Sequence, residues 1–312
     1  MTWTQNPAFS RALPIQLALD STTLGAMKKC PRLFELAHVR GWGSRRRSID
    51  LEFGILLHSA REGYYRRRAN GEDHNAALAG ALNFALSASW DFELDRPLAI
   101  FCEDNYKNRF TLARTLVWYL DQWENDPLET VILAGGAPAV EVSFRFPLGI
   151  RTAQDEEYLL CGHMDRLVRF NDRLWVSDLK STRHSLDSTY FAQYTPDNQM
   201  STYSVAGKVV LNEPTAGIIL DAAQVGVGFS RFARGLIYRT TAQLEEWLRG
   251  VEVLLHQYEE YARAQFWPQN EKSCWGCSFR PICARSPQVR ENWLKSDFVE
   301  RQWNPLEVRG DI

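Results

Sequence analysis

Two aspartates and a lysine carry the densest chemistry in the 312-residue sequence. Asp165 ends the segment GHMD, and Asp178 and Lys180 bracket DLK. Between them, Asn171-Asp172 suits a two-residue hairpin, because both residue types tolerate positive φ. With Phe170 opposite Arg173, Asp165 falls across from Asp178 and His163 across from Lys180. Side-chain alternation then puts Asp165, Asp178 and Lys180 on one face, flanked by Leu167 and Val176. Like charges about 5 Å apart across a sheet repel, and a divalent cation shared by both carboxylates is the simplest offset. Hard Mg²⁺ or Mn²⁺ takes one or two carboxylates plus waters and phosphate oxygens. The alternative is a different register, or acids that simply pair with arginines. The first reading suits phosphodiester hydrolysis, in which a metal polarises a phosphoryl oxygen and acidifies a bound water. Lys180 would position that water or neutralise charge building on the phosphate. No serine elbow, P-loop or dinucleotide glycine pattern is present.

Four further residues stand in a suggestive order. Gly54 to His58 reads G-x-x-x-H on an apolar helix, Glu141 lies in the strand before GHMD, and Gln199 and Tyr203 form Q-x-x-x-Y. Singly each is weak: His58 could be a satisfied core histidine, Glu141 an ordinary strand-edge acid, and Q-x-x-x-Y a chance pair. Together with GHMD and DLK they resemble the PD-(D/E)xK nuclease superfamily, in its RecB-like branch. The resemblance implies an α/β, restriction-endonuclease-like mixed sheet flanked by helices, with a helical N-terminal elaboration. It implies a metal site of His58, Asp165 and Asp178, with Glu141, Lys180, Gln199 and Tyr203 completing the catalytic set. Gln199 and Tyr203, at i and i+4, would share the helix face that DNA contact requires.

Of six cysteines, Cys274, Cys277 and Cys283 form C-x2-C-x5-C, and Cys30 precedes a proline. Clustered thiols in a reducing compartment argue for a metal rather than disulfides. Spacing alone allows a Cys₄ zinc site or a cluster lacking one ligand. The resemblance extends to AddB-type and CRISPR-adaptation nucleases, in which one N-terminal cysteine joins such a run. It implies a [4Fe–4S] cluster on Cys30, Cys274, Cys277 and Cys283, clasping the N-terminal part to the C-terminal part. Cys102 and Cys161 read as small buried hydrophobes.

The elements that must position these groups follow from period and punctuation. Ser21 can cap a short helix and Pro31 suits the first turn of the next. Helices are expected over about 48–68, with Phe53, Leu56, Leu57, Ala60 and Tyr64 inward, and over 73–92. A long helix ending near residue 126 would bury Cys102, Tyr106, Phe110, Ala113, Val117 and Leu120. Strands follow from about 138, interrupted by a helix over 195–207, and a helix from Thr241 opens with a Thr240/Gln243 capping box. This gives an extension over 1–20, one nuclease domain over 21–290 and a tail over 291–312. Within the domain, 21–127 is helical, 138–265 forms the α/β core and 268–285 the iron–sulfur loop.

Hydrophobic residues make up 45% and net charge is −2, as in an ordinary soluble protein. No run of roughly eighteen apolar residues marks a membrane span, and no signal peptide is evident, so a cytoplasmic protein is expected, in the host if phage-encoded. Residues 26–70 hold eleven Lys/Arg against four acids, +7, which leaves −9 elsewhere. Arg45, Arg46, Arg47, Arg66, Arg67 and Arg68 in this segment are candidate phosphate contacts. The expected activity is Mg²⁺- or Mn²⁺-dependent DNA exonuclease cleavage of ends or single strands, in recombination, repair or phage DNA metabolism. A CRISPR-adaptation-like trimming nuclease with integration partners, or a non-catalytic iron–sulfur scaffold binding DNA, are the alternatives.

Overall fold

The computed structural model describes residues 3–45 and 47–307, so Arg46 lies outside the described residues. The chain divides into two units: Met1–Arg46, Ser143–Gly162 and Thr240–Ile312 form one, and Arg47–Val142 and His163–Arg239 the other.

The second unit opens with α1 (Ile49–Ala69), where the Ser48 hydroxyl accepts the Leu51 N–H and so satisfies one orphan helix donor. Its expected inward residues are all buried, and they pack with α2 (His74–Ala88) and α3 (Arg109–Gln122) in one core cluster. The third helix departs from expectation. It starts at 109 rather than near 102, and Cys102, Tyr106 and Phe110 are exposed. Asp104 accepts the N–H groups of Tyr106 and Lys107, turning the chain. An Asn108/Thr111 capping box then fixes the helix start. That start turns Leu112, Leu116 and Tyr119 inward instead, with Leu120 buried as expected.

The strands are β1 (Glu129–Thr130), β2 (Val140–Arg151), β3 (Glu157–Phe170) and β4 (Arg173–Thr182). They are followed by α4 (Asn198–Leu211), β5 (Thr215–Val225) and β6 (Ser230–Ile237). The hairpin between β3 and β4 turns on Asn171 and Asp172, with φ of 49° and 57°. Its register runs from Phe170–Arg173 to Arg166–Ser177, as read from the sequence, but the ladder ends there, short of the expected Asp165–Asp178 and His163–Lys180 pairs. β4 pairs parallel with β5, and β5 antiparallel with β6, so the sheet is mixed. β4 is buried along most of its length, as a central strand must be. Its alternate residues serve different layers: Leu179 joins the cluster of α1–α3, while Val176 faces α4.

At that second contact, Gly207 of α4 matters. A Cβ there would stand 2.6 Å from Thr215 Cγ2 and 3.0 Å from Val176 Cγ2. A Gly207→Val substitution is therefore expected to push α4 off the sheet at a cost of about 1–3 kcal/mol. An unchanged midpoint in chemical denaturation would contradict this close approach.

In the first unit, Ser21–Lys29 is capped by Asp20, whose side chain accepts the Thr23 N–H; Ser21 is the first helical residue instead. Aspartate competes well for this position. Pro31 does occupy the first turn of Pro31–Phe34, and Thr240 and Gln243 do form a capping box ahead of Thr241–Ala264. Leu36, Trp42, Phe279, Ile282, Leu294 and Phe298 form a small core against which Cys277 and Cys283 pack. Phe298–Glu300 pairs with Trp42–Ser44, and Trp303 donates to Asp20. Among the described residues, no helix is long and apolar enough to cross a membrane.

Candidate active site

Asp178 and Lys180 lie near the end of β4, two residues apart and thus on one side of the strand. Asp178 is fully buried, and the Lys180 ammonium donates to its Oδ1 at 2.9 Å. Oδ2 lies 2.7 Å from the same nitrogen but receives no well-directed hydrogen bond. Burial pushes the Asp178 carboxyl up; Lys180 opposes this, and the like charge of Asp165 adds to it. Burial would lower the Lys180 ammonium, but Asp178 and Asp165 outweigh it and hold it protonated.

Asp165 sits where the β3–β4 ladder ends, one residue beyond the Arg166–Ser177 pair. Its Oδ2 accepts the Leu179 backbone N–H at 2.9 Å, lies 3.0 Å from His58 Nδ1 and accepts from Arg61 at 3.1 Å. Burial alone would raise this carboxyl; His58, Arg61 and Lys180 outweigh it and hold it well below the usual carboxylate range. The repulsion read from the sequence is thus met within the protein by cations on both acids. His58 and Arg61 stand three apart on α1, so they share a face.

Gln199 donates to the Tyr203 hydroxyl at 2.8 Å on α4. Burial pushes the Tyr203 phenol well up, and Asp178, Asp165 and Glu141 add to this, so it faces the acids as a protonated donor. Glu141, with φ of 51°, is the second residue of β2. It lines a pocket of about 10 Å³ together with His58, Arg61, Tyr65, Asp165 and Arg166. That volume suits one water or one small ion. The second unit therefore brings together Asp165, Asp178, Lys180, His58, Glu141, Gln199 and Tyr203.

The cysteines Cys30, Cys274, Cys277 and Cys283 all lie in the first unit as free, half-buried thiols. Asn270 gathers two of them: its N–H donates to Cys30 Sγ at 3.4 Å, and its carbonyl lies 3.8 Å from Cys274 Sγ. Burial pushes the Cys283 thiol up; Arg32 and Arg290 oppose this, while Cys277 and Cys30 add to it. Cys161 is buried as expected, whereas Cys102 is exposed. Phe279 stacks on Phe298, and Trp275 is 87% exposed.

The described candidate phosphate-binding arginines already have protein partners. Arg45, in the first unit, donates to the carbonyls of Lys295 and Ser296. In the second unit Arg47 pairs with Glu52, Arg66 with Glu62 and Arg67 with Glu72, and Arg68 donates to the Glu72 carbonyl. Phosphates would have to compete with these partners.

A model of the PD-(D/E)XK nuclease superfamily matches residues 21–284. The chain belongs to this superfamily. In this PD-(D/E)XK nuclease Asp165 lies on β3, and Asp178 and Lys180 lie on β4, its antiparallel partner. A solved structure of a candidate exonuclease from Eubacterium rectale is 12% identical, with 82% of this chain and 85% of that chain covered and a TM-score of 0.46. A second, SSO0001, is 15% identical over 84% and 96% of the two chains, with a TM-score of 0.29. Both are too distant in shape to bear on the activity. No curated protein matches the chain.

Sequence reasoning missed Arg61 and the buried groups behind it, Tyr119 and Asp221. Arg61 had a usable signal, three residues after His58 on a helix whose other inward residues are apolar. Asp221 had a weaker one, a lone acid inside the apolar run of β5.

Proposed function

We propose that this nuclease is a Mg²⁺- or Mn²⁺-dependent DNA exonuclease of the RecB-like branch, acting in recombination, repair or phage DNA metabolism. The observation that carries the reading is that Asp165 and His58 meet at one small pocket, while the paired Asp178 and Lys180 stand near enough to Asp165 to act on its charge. PD-(D/E)XK nucleases generally use Mg²⁺ or Mn²⁺. Among the described residues no three His, Cys, Asp or Glu side chains form a ready-made cage, but hard divalent ions need only one or two carboxylates plus water and phosphate. The buried Asp178 Oδ2, which receives no well-directed hydrogen bond although the Lys180 ammonium lies 2.7 Å away, fits that demand. Asp165, Asp178 and His58 would hold the ion, which would polarise the phosphate and acidify a water.

The chain's own groups supply the rest. Lys180, kept protonated by two acids, places a compact positive charge where negative charge builds on the phosphate. Tyr203, oriented by Gln199, offers a protonated donor on the same side. Glu141 lends an acceptor to the pocket. Arg45, Arg46, Arg47, Arg66, Arg67 and Arg68 would contact the backbone phosphates. In the first unit, Cys30, Cys274, Cys277 and Cys283 would supply the four thiolates of a [4Fe–4S] cluster with a structural role, drawing together thiols that form no ready-made cage among the described residues.

Incubation with linear and circular DNA, single- and double-stranded, in Mn²⁺ and in chelator tests this. Linear substrates are expected to shorten from their ends in Mn²⁺ alone. Absence of cleavage defeats the nuclease reading, and cleavage of circles defeats the exonuclease assignment.

A further inference from the structure

We infer that Arg61, with Tyr119 and Asp221 behind it, is a positioning device that fixes the Asp165 carboxylate by one oxygen and leaves the other for catalysis. The inference deepens the nuclease reading and rests on it for its functional part.

The geometry forms a closed circuit within the second unit. From Asp165 Oδ2 it passes to Arg61 at 3.1 Å, and from Arg61 to the Tyr119 hydroxyl at 3.3 Å. Tyr119 donates to Asp221, which accepts from Arg234 at 3.1 Å. Arg234 grips Asp126 through two nitrogens at 2.7 and 3.0 Å, and Asp126 meets Arg166 at 3.2 Å. Arg166 adjoins Asp165 in the chain, so the circuit leaves β3 at one residue and returns at the next. Three acids face three arginines, so the circuit is neutral without His58, Lys180 or any ion.

Isolated buried charges are costly, and burial is tolerated here because each charge has an opposite partner. Arg61 and Arg166 are each 3% exposed. Tyr65 lies inside the ring, with the Arg166 guanidinium 3.7 Å from its ring centre and its hydroxyl 3.3 Å from Asp126. A purely structural arginine could have been neutralised by Asp221 alone, yet Arg61 stands 3.9 Å from Asp221 and nearer to Asp165. Arg61, His58 and the Leu179 N–H all converge on Oδ2. Among the described residues no protein hydrogen bond is directed at Oδ1. A guanidinium can bond Asp165 and Tyr119 at once through separate nitrogens, which an ammonium cannot reproduce.

The test reads the Asp165 carboxylate through its partner, the Leu179 amide, by hydrogen exchange on metal-free full-length protein. Arg61→Lys and Tyr119→Phe are each expected to speed Leu179 exchange about tenfold while leaving Val176, farther back on β4, unchanged, as local rather than global opening requires. In DNA cleavage both variants are expected to lower kcat with KM unchanged. Should Arg61→Lys fail to fold, Tyr119→Phe, which removes one oxygen, carries the test. Unchanged Leu179 exchange in the folded variants, or equal loosening of Leu179 and Val176, overturns the inference. A wild type that cleaves no DNA overturns the nuclease reading alone, since the exchange result needs neither metal nor substrate.

Discussion

Lys180→Met is expected to yield a folded protein whose DNA cleavage is slower by about a thousandfold. Removing one partner of a buried ion pair ordinarily costs several kcal/mol, because the other charge is stranded. Here the stranded acid has an escape. Burial already pushes Asp178 up and Lys180 is what opposes it, so without the lysine Asp178 takes a proton and the fold survives. The active site does not survive, because the variant loses the cation and an ionised carboxylate together. Loss of one electrostatic stabiliser typically costs about a hundred- to a thousandfold in rate, and the coupled loss lies at the upper end. Lys180→Arg is expected to restore little, since a planar fork does not replace a compact ammonium. Single-turnover cleavage measured beside thermal melting checks both halves. Wild-type cleavage by Lys180→Met would remove this lysine from the mechanism.

Cys30→Ser is expected to have the largest effect on stability. If Cys30 joins Cys274, Cys277 and Cys283 on one cluster, a crosslink spans most of the chain. Closing a loop of more than a hundred residues restricts the unfolded state by about 4–5 kcal/mol on the entropy model used for disulfides. Losing one thiolate should thus lower the melting temperature markedly and bleach the iron–sulfur colour of anaerobically purified protein. Cys102→Ser, at an exposed site outside the run, should do neither. A colourless wild type with stoichiometric zinc would replace the cluster by a Cys₄ ion site. Equal melting of Cys30→Ser and wild type would remove Cys30 from the clasp.

The central hairpin was legible because its signals are local. Asn171-Asp172 dictates the turn and the turn dictates the register as far as Arg166–Ser177, beyond which Asp165 accepts the Leu179 N–H rather than pairing with Asp178. The α1 face and the Thr240/Gln243 cap were equally local. The third helix was misread because its start depends on Asn108 and Asp104, whose capping competes with a plausible apolar stripe through Cys102, Tyr106 and Phe110. Asp20 displaced Ser21 as a cap for the same reason, two adjacent residues being able to do one task. The partners of Asp165 were harder to see. Arg61 is 104 residues from Asp165, and Tyr119 is 102 from Asp221. No short spacing encodes such meetings, and only the packed core brings them together.

The crowding of three partners onto Asp165 Oδ2 has a consequence for ion selectivity. A carboxylate with one oxygen occupied can act only as a monodentate arm. Calcium favours six to eight oxygens and readily takes carboxylates in bidentate fashion, whereas magnesium keeps an octahedral shell rich in water. In the proposed nuclease, discrimination between these ions would begin with the arginine and the backbone amide that claim one oxygen before any ion arrives.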